Sequence, residues 1–195
     1  MNPYSYVKSI KPKPPTGAQE ALERAMLELY AKNGQAVSVK TLCEKASVAR
    51  STFYAYYDVV DDCLRTAEDR LIERLISMNE ELMRDGELND FDFFRGTMYY
   101  VKENIEYFRI LLVERPDYRF IEKWKDGIKY HMYARMRASG SEKNRELTLE
   151  MIASEAIAAY TYWMKNHYDI DFEYVKKLMQ RTISAYTQQN SELSN

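Results

Sequence analysis

VKTLCEKASVARSTFYAYY, Val39 to Tyr57, is the stretch on which the fold turns. At a helical period Val39, Leu42, Cys43 and Ala46 share one face of a short helix. Ser47-Val48 interrupts it, and Phe53 and Tyr57, one helical turn apart, begin a second apolar face. Two helices this short cannot each bury a face alone, so they need a third to lean on. The second has few apolar anchors, and Ala49-Arg50-Ser51-Thr52 and Tyr54-Ala55-Tyr56 are small, polar or aromatic. Outward residues of that kind are the make-up of a reader helix in a helix-turn-helix. A plain helical hairpin with one solvated face has the same periodicity.

The longer run TLCEKASVARSTFYAYYDVVDDCL resembles the DNA-binding segment of the TetR family of bacterial transcriptional regulators. That segment has a first helix with a small residue, a turn, a Ser/Thr-x-Tyr reader helix, an aromatic, and an acidic start to a long fourth helix. The matching positions are Ala46, Ser47-Val48, Thr52-Phe53-Tyr54, Tyr57 and Asp61-Asp62-Cys63-Leu64. Beyond residue 70 the likeness is one of architecture. Three positions depart from the pattern. Ser47 stands where the turn usually has glycine, so a left-handed backbone there carries strain. Ala49 replaces a capping serine, a loss of roughly 1 kcal/mol. Val60 replaces a lysine that usually meets a phosphate.

The resemblance implies an all-α fold of about nine helices: a three-helix helix-turn-helix DNA-binding domain, then a helical bundle for ligand binding and dimerisation. The boundaries read as a basic flexible arm over 1–15, the DNA-binding domain over 16–60 and the regulatory domain over 61–195. The implied function is sequence-specific regulation of transcription by a dimeric, small-molecule-responsive repressor on a palindromic operator. The alternative is a helical adaptor whose helix-turn-helix-like head contacts protein.

Charge is distributed to match. Residues 1–57 hold eight Lys and Arg against four Glu, a net of +4, and the rest of the chain carries −6, for −2 overall. A cationic head on an anionic body suits a phosphate-binding module on a regulatory domain, although solvated faces vary by this much. Cys43 and Cys63 lie among apolar neighbours, as packing residues do in a reducing cytoplasm. There is no secretory leader and no apolar run of about 18 residues, so no membrane span is expected.

Taken in order, Lys8, Lys11 and Lys13 alternate with Pro12, Pro14 and Pro15, which reads as an unstructured leader or as an arm touching DNA. Thr16 to Gln19 has the spacing of a capping box and opens a helix ended by Asn33-Gly34. Ser38 caps the next, where Lys40 and Thr41 can meet a phosphate at the exposed N–H groups. Asp58 and Asp61 are placed to cap a fourth helix of about 24 residues, with Leu64, Ala67, Leu71, Leu75, Met78 and Leu82 inward. Asp85-Gly86 breaks it. Further helices are expected from Phe91 to Glu103, Asn104 to Glu114, Tyr118 to Ala138, Glu142 to His167 and Asp171 to about Gln188.

In the reader helix Arg50 is the best base reader, since its guanidinium can meet guanine O6 and N7 together. Ser51 and Ala55 are short enough to let the helix sink in, while Thr52, Tyr54 and Tyr56 suit phosphates. On the last two helices Ile152, Ala156, Ala159, Tyr160 and Trp163, with Val175, Met179, Thr182, Ile183 and Tyr186, combine small and large residues. They make either a four-helix interface between two chains or the core of one. Tyr99, Tyr100, Tyr107, Trp124, Tyr130 and Met132 line either an effector cavity or a plain core, and Glu155 is a ligand partner or an exposed carboxylate. His131 and His167 have no partners at ligand spacing, and no phosphate loop or nucleophile elbow is present, so neither metal, cofactor nor catalytic site is expected.

Overall fold

The computed structural model describes residues 2–34, 36–84, 90–133, 142–166 and 169–189, and among them all regular structure is helical. A 3₁₀ turn, Ser5–Ser9, precedes α1 (Gly17–Asn33), α2 (Val39–Ala46), α3 (Arg50–Tyr54) and α4 (Val60–Arg84). Then come α5 (Asp90–Glu103), α6 (Ile105–Arg109) running on as a π-helical turn (Ile110–Glu114), α7 (Tyr118–Tyr133), α8 (Glu142–Lys165) and α9 (Phe172–Gln189). The expected break at Asp85-Gly86 and loop at 139–141 lie outside the described residues.

Local chemistry sets the head. The capping box forms: Thr16 Oγ1 accepts from Gln19 N at 3.3 Å, and Gln19 Oε1 accepts from Thr16 N at 3.1 Å. Gly34, at φ 60°, closes α1 by donating to Tyr30 O at 2.8 Å. Ser38 Oγ accepts from Thr41 N at 3.1 Å and starts α2. Ser47 ends it in the left-handed region at φ 54°, ψ 41°, the strained conformation that the missing glycine implies. Ala49 starts α3 with no side-chain cap.

Asp58 and Asp61 do not cap α4. Asp62, inside the first turn, does so: its Oδ2 accepts from Asp58 N and Val59 N at 3.2 and 3.0 Å. A carboxylate at the third helical position can fold back over the first free N–H groups, whereas Asp61 is drawn off to Arg65 and Arg119.

α4 spans 25 residues, about 37 Å at 1.5 Å per residue. Leu64, Ala67, Leu71 and Leu75 are buried as expected, and Glu68, Ile72, Ile76 and Asn79 widen the stripe. The helix packs against α1 on one side and α5 and α7 on the other, so head and body share one core. A run of rings, Phe108–Trp124 at 5.0 Å and Trp124–Tyr160 at 5.1 Å, ties α6, α7 and α8 together. Among the described residues no helix is long and apolar enough to cross a membrane.

Residues 2–10 differ from the detached arm that their composition suggests. The 3₁₀ turn packs on α4 and α7, and Val7 is fully buried there. One buried apolar residue, with Tyr4 and Tyr6 before it, outweighs the surrounding prolines and lysines.

A charged hub joins three elements beneath the head. Arg65 Nη1 donates to both Glu68 oxygens at 2.6 Å, and Arg65 Nη2 donates to Asp117 Oδ2 at 3.0 Å. Asp117 caps α7 through Arg119 N at 2.9 Å and accepts from Tyr30 OH at 3.4 Å. Burial pushes the Glu68 carboxyl up to about 7 in spite of Arg65. Burial acts on Asp117 in the same sense, but Arg65 and two backbone N–H groups overcome it and hold that carboxyl low.

Glu68 thus keeps its proton well above the 4.5 of an ordinary glutamate. Its contribution to stability is full below that value and is lost as pH rises through about 7. Urea unfolding of wild type and Glu68→Gln at a series of pH values measures it. The variant gains on wild type between pH 5 and 8, and a constant difference would mean that Arg65 keeps Glu68 ionised throughout.

Candidate nucleic-acid interface

α3 is held from behind by two rings. Phe53 and Tyr57 are buried, with centroids 5.6 Å apart. Tyr57 OH donates to Glu23 Oε1 of α1 at 2.7 Å, and Glu23 Oε2 accepts from Arg70 Nε of α4 at 2.7 Å. One buried carboxylate therefore fixes the end of the reader helix to both of its supports. Burial, reinforced by Glu23, pushes the Tyr57 phenol up, so it remains a donor at any physiological pH. The Cys43 and Cys63 thiols are buried and pushed up by that burial, Cys63 to about 12, as packing groups are.

With Phe53 and Tyr57 inward, the opposite side of α3 faces solvent. Arg50, Ser51 and Ala55 are exposed, as are Tyr54 (58%) and Tyr56 (39%), and Thr52 is half-buried. On the first turn of α2 Lys40 and Thr41 are exposed. Thr41 Oγ1 lies 2.9 Å from Ser38 Oγ, and Lys40 makes only a loose 4.0 Å pair with Glu44 that water screens. Tyr56 OH accepts from Thr16 Oγ1 at 3.2 Å, which ties the tail of the reader to the cap of α1. All eight predicted DNA-facing residues are thus on the surface of the head to some degree.

The body holds a small cavity of about 10 Å³ between α4, α5, α7 and α8. That is room for about one water molecule. Of the predicted pocket residues only Trp124 lines it. Met132 is buried elsewhere in the core, Tyr100 stands edge-on to Phe108, and Tyr99 and half of Glu155 face solvent. Tyr107 borders an open groove beside Pro15, and Tyr130 OH donates to Glu80 at 3.2 Å. The polar lining consists instead of Asn79, Thr97, His131 and Tyr160. Asn79 Nδ2 donates to Thr97 Oγ1 at 3.1 Å. The Tyr160 hydroxyl is buried and makes no hydrogen bond among the described residues.

Most of the predicted interface residues lie inside the single chain. Ile152, Ala156, Tyr160, Trp163, Val175 and Met179 are buried within the single chain, because the most apolar faces of α8 and α9 turn toward α5 and α7. Ala159 and Thr182 are half-exposed, and the side chains of Ile183 and Tyr186 lie outside the described residues. Outside that core, Leu147, Met151 and Tyr162 of α8 and Tyr174 and Leu178 of α9 are exposed. Leu147 with Met151 and Tyr174 with Leu178 are each one helical turn apart, but the larger apolar stripes beside them dominate the pattern of both helices. Glu23 was missed as well, though a glutamate beside Leu22 and Met26 on a buried stripe signals a partner for it.

A three-helix head with an exposed third helix, joined by one long helix to a helical body, is the architecture of helix-turn-helix transcriptional regulators. A TetR-type family model described as a transcriptional regulator C-terminal region matches residues 89–185. The chain belongs to the TetR family of transcriptional regulators. Among the described residues no group of His, Cys, Asp or Glu could hold a metal ion.

Solved structures share the fold at low identity. The fatty acid degradation regulator FadR from Bacillus halodurans aligns over 83% of this chain and 95% of its own, with TM-score 0.65 and 13% identity. A TetR-family regulator from Streptomyces coelicolor aligns over 91% and 99%, with TM-score 0.61 and 16% identity. The dihydroxyacetone kinase operon activator DhaS aligns over 89% and 96%, with TM-score 0.58 and 15% identity. No curated protein matches the sequence.

The bare start of α3 is correctable. Ala49→Ser, placed to accept from the first free N–H groups of the helix, is expected to raise stability to urea by about 1 kcal/mol. No change would mean that the cap position is already satisfied by water.

Proposed function

We infer that the protein is a dimeric, sequence-specific DNA-binding repressor whose two reader helices enter successive major grooves of a palindromic operator. The observation that carries this reading is the α3 surface: Arg50, Ser51, Tyr54 and Ala55 lie outward while the buried Phe53 and Tyr57 anchor the helix. Arg50 reads a base edge, the short side chains admit the helix, and Thr52, Tyr54, Tyr56, Lys40 and Thr41 fix register on phosphates. A single head touches few base pairs, so a two-fold pair of heads about 34–36 Å apart supplies the specificity. The exposed Leu147, Met151 and Tyr162 of α8 with Tyr174 and Leu178 of α9 give the apolar surface for that pairing.

The cavity behind Trp124 and Tyr160 is the natural seat of a small-molecule effector. A guest larger than water must part α4 from α7, and α4 carries the head. Its effect on DNA binding then follows from unequal affinity for the two arrangements.

Two measurements test the reading. Arg50→Ala relaxes selection at one base position per half-site by about 1–3 kcal/mol, read by competition between operator variants. Equal weakening on every sequence would make Arg50 a phosphate anchor instead. Gly127→Ala places a methyl group 3.5 Å from Ile76 Cγ1, an ordinary contact that fills the cavity. It raises stability by about 1 kcal/mol and removes the effector response. A loss of stability would show that the space is not there.

A further inference from the structure

We propose that residues 2–16 form a strap that fixes the angle of the DNA head against the body, so that its anchors on α7 position the reader helix without touching DNA. This rests on the reading of α3 as a DNA reader.

The strap is anchored at its first half. Val7 is fully buried under α4 and α7. Asn2 Nδ2 donates to Tyr130 O at 2.9 Å, the Tyr6 hydroxyl bonds the Asp126 carboxylate, and Lys8 Nζ lies 3.0 Å from Glu80 Oε1. Tyr4 stands edge-on to Tyr133, with Lys129 Nζ 5.4 Å from its ring centre. Lys8, the first of the three lysines, is therefore turned to the body and not presented to a phosphate.

The second half reaches the reader. From Ile10 to Pro15 the backbone has no regular structure, and the ring of each of Pro12, Pro14 and Pro15 fixes its φ angle. Such a segment behaves as a semi-rigid spacer rather than a loose tether. Arg70 Nη1 of α4 donates to Lys13 O at 2.5 Å while its Nε holds Glu23. Thr16 then caps α1 and donates to Tyr56 OH at the end of the reader.

The C-terminal end of α1 is already tied to the body, through Tyr30 to Asp117 and through Arg115, which donates to Ala31 O and Lys32 O at 3.3 Å. The strap adds a tie at the opposite end of α1, and two separated ties fix an angle that one leaves free. The strap is anchored on α7, the helix whose Gly127, Ile128 and His131 line the cavity. A displacement of α7 is thus passed to the head at that end by a path separate from α4.

The test replaces Pro12, Pro14 and Pro15 with glycine, which keeps every anchor and every lysine and removes only stiffness. On DNA selected by the wild type, affinity should fall about tenfold and sites with one base pair added between half-sites should be tolerated, with the salt dependence unchanged. Unchanged affinity and spacing preference would overturn the proposal. If replacing Lys8, Lys11 and Lys13 by alanine makes the salt slope shallower by about 0.9 for each, the segment is a DNA-contacting arm and the proposal is likewise overturned. Spin labels on Arg24→Cys and Lys165→Cys give a reading that needs no DNA: a narrow distance distribution that broadens in the glycine variant. If the wild type selects no duplex, the DNA reading fails, while the distances still decide whether the strap holds the head.

Discussion

One buried carboxylate organises the head. Glu23 lies inside an apolar stripe, where a lone charge would be costly, and it is tolerated because Tyr57 and Arg70 both bond to it. That requirement joins the reader helix, α1 and α4 at one point. α3 has five residues, far too few to be stable alone, so its direction is set by what holds Phe53 and Tyr57. The outward surface of α3 is in this sense a by-product of the anchoring. Once the two rings are turned inward, helical geometry turns Arg50, Ser51 and Tyr54 outward.

The same logic runs down the chain. α4 meets the head through Glu23 and Arg70, and the body through Arg65, Glu68 and Asp117. Each cluster satisfies its buried charges with partners from different elements, so neither can rearrange without moving a helix. Buried ion pairs are weak sources of stability but strong determinants of relative placement. The strap adds a further tie between α7 and α1.

Much of this was legible in the sequence, and the reasons are local. Thr16, Gly34, Ser38 and Ser47 announce helix ends through backbone chemistry that depends on few neighbours. The 3.6-residue stripe of α4 and the Phe53–Tyr57 spacing gave the inward faces. What depends on tertiary packing was not legible. Tyr160 and Trp163 read as interface residues as readily as core ones or more so, and only the placement of α5 and α7 turns them into the core of one chain. The cavity residues Asn79, Thr97 and Gly127 come from three helices and carry no joint pattern in the chain. Val7 looked isolated among prolines and lysines, because the helices that receive it, α4 and α7, lie far along the chain.

The central claim is that α3 enters a duplex and does so twice, on a two-fold dimer. Selection of bound duplexes from a random pool tests it most directly. The account predicts enrichment of an inverted repeat with half-site centres about 10–10.5 base pairs, or a multiple, apart, bound by two chains. Failure to enrich any sequence, or enrichment of a single half-site bound by one chain, would contradict it.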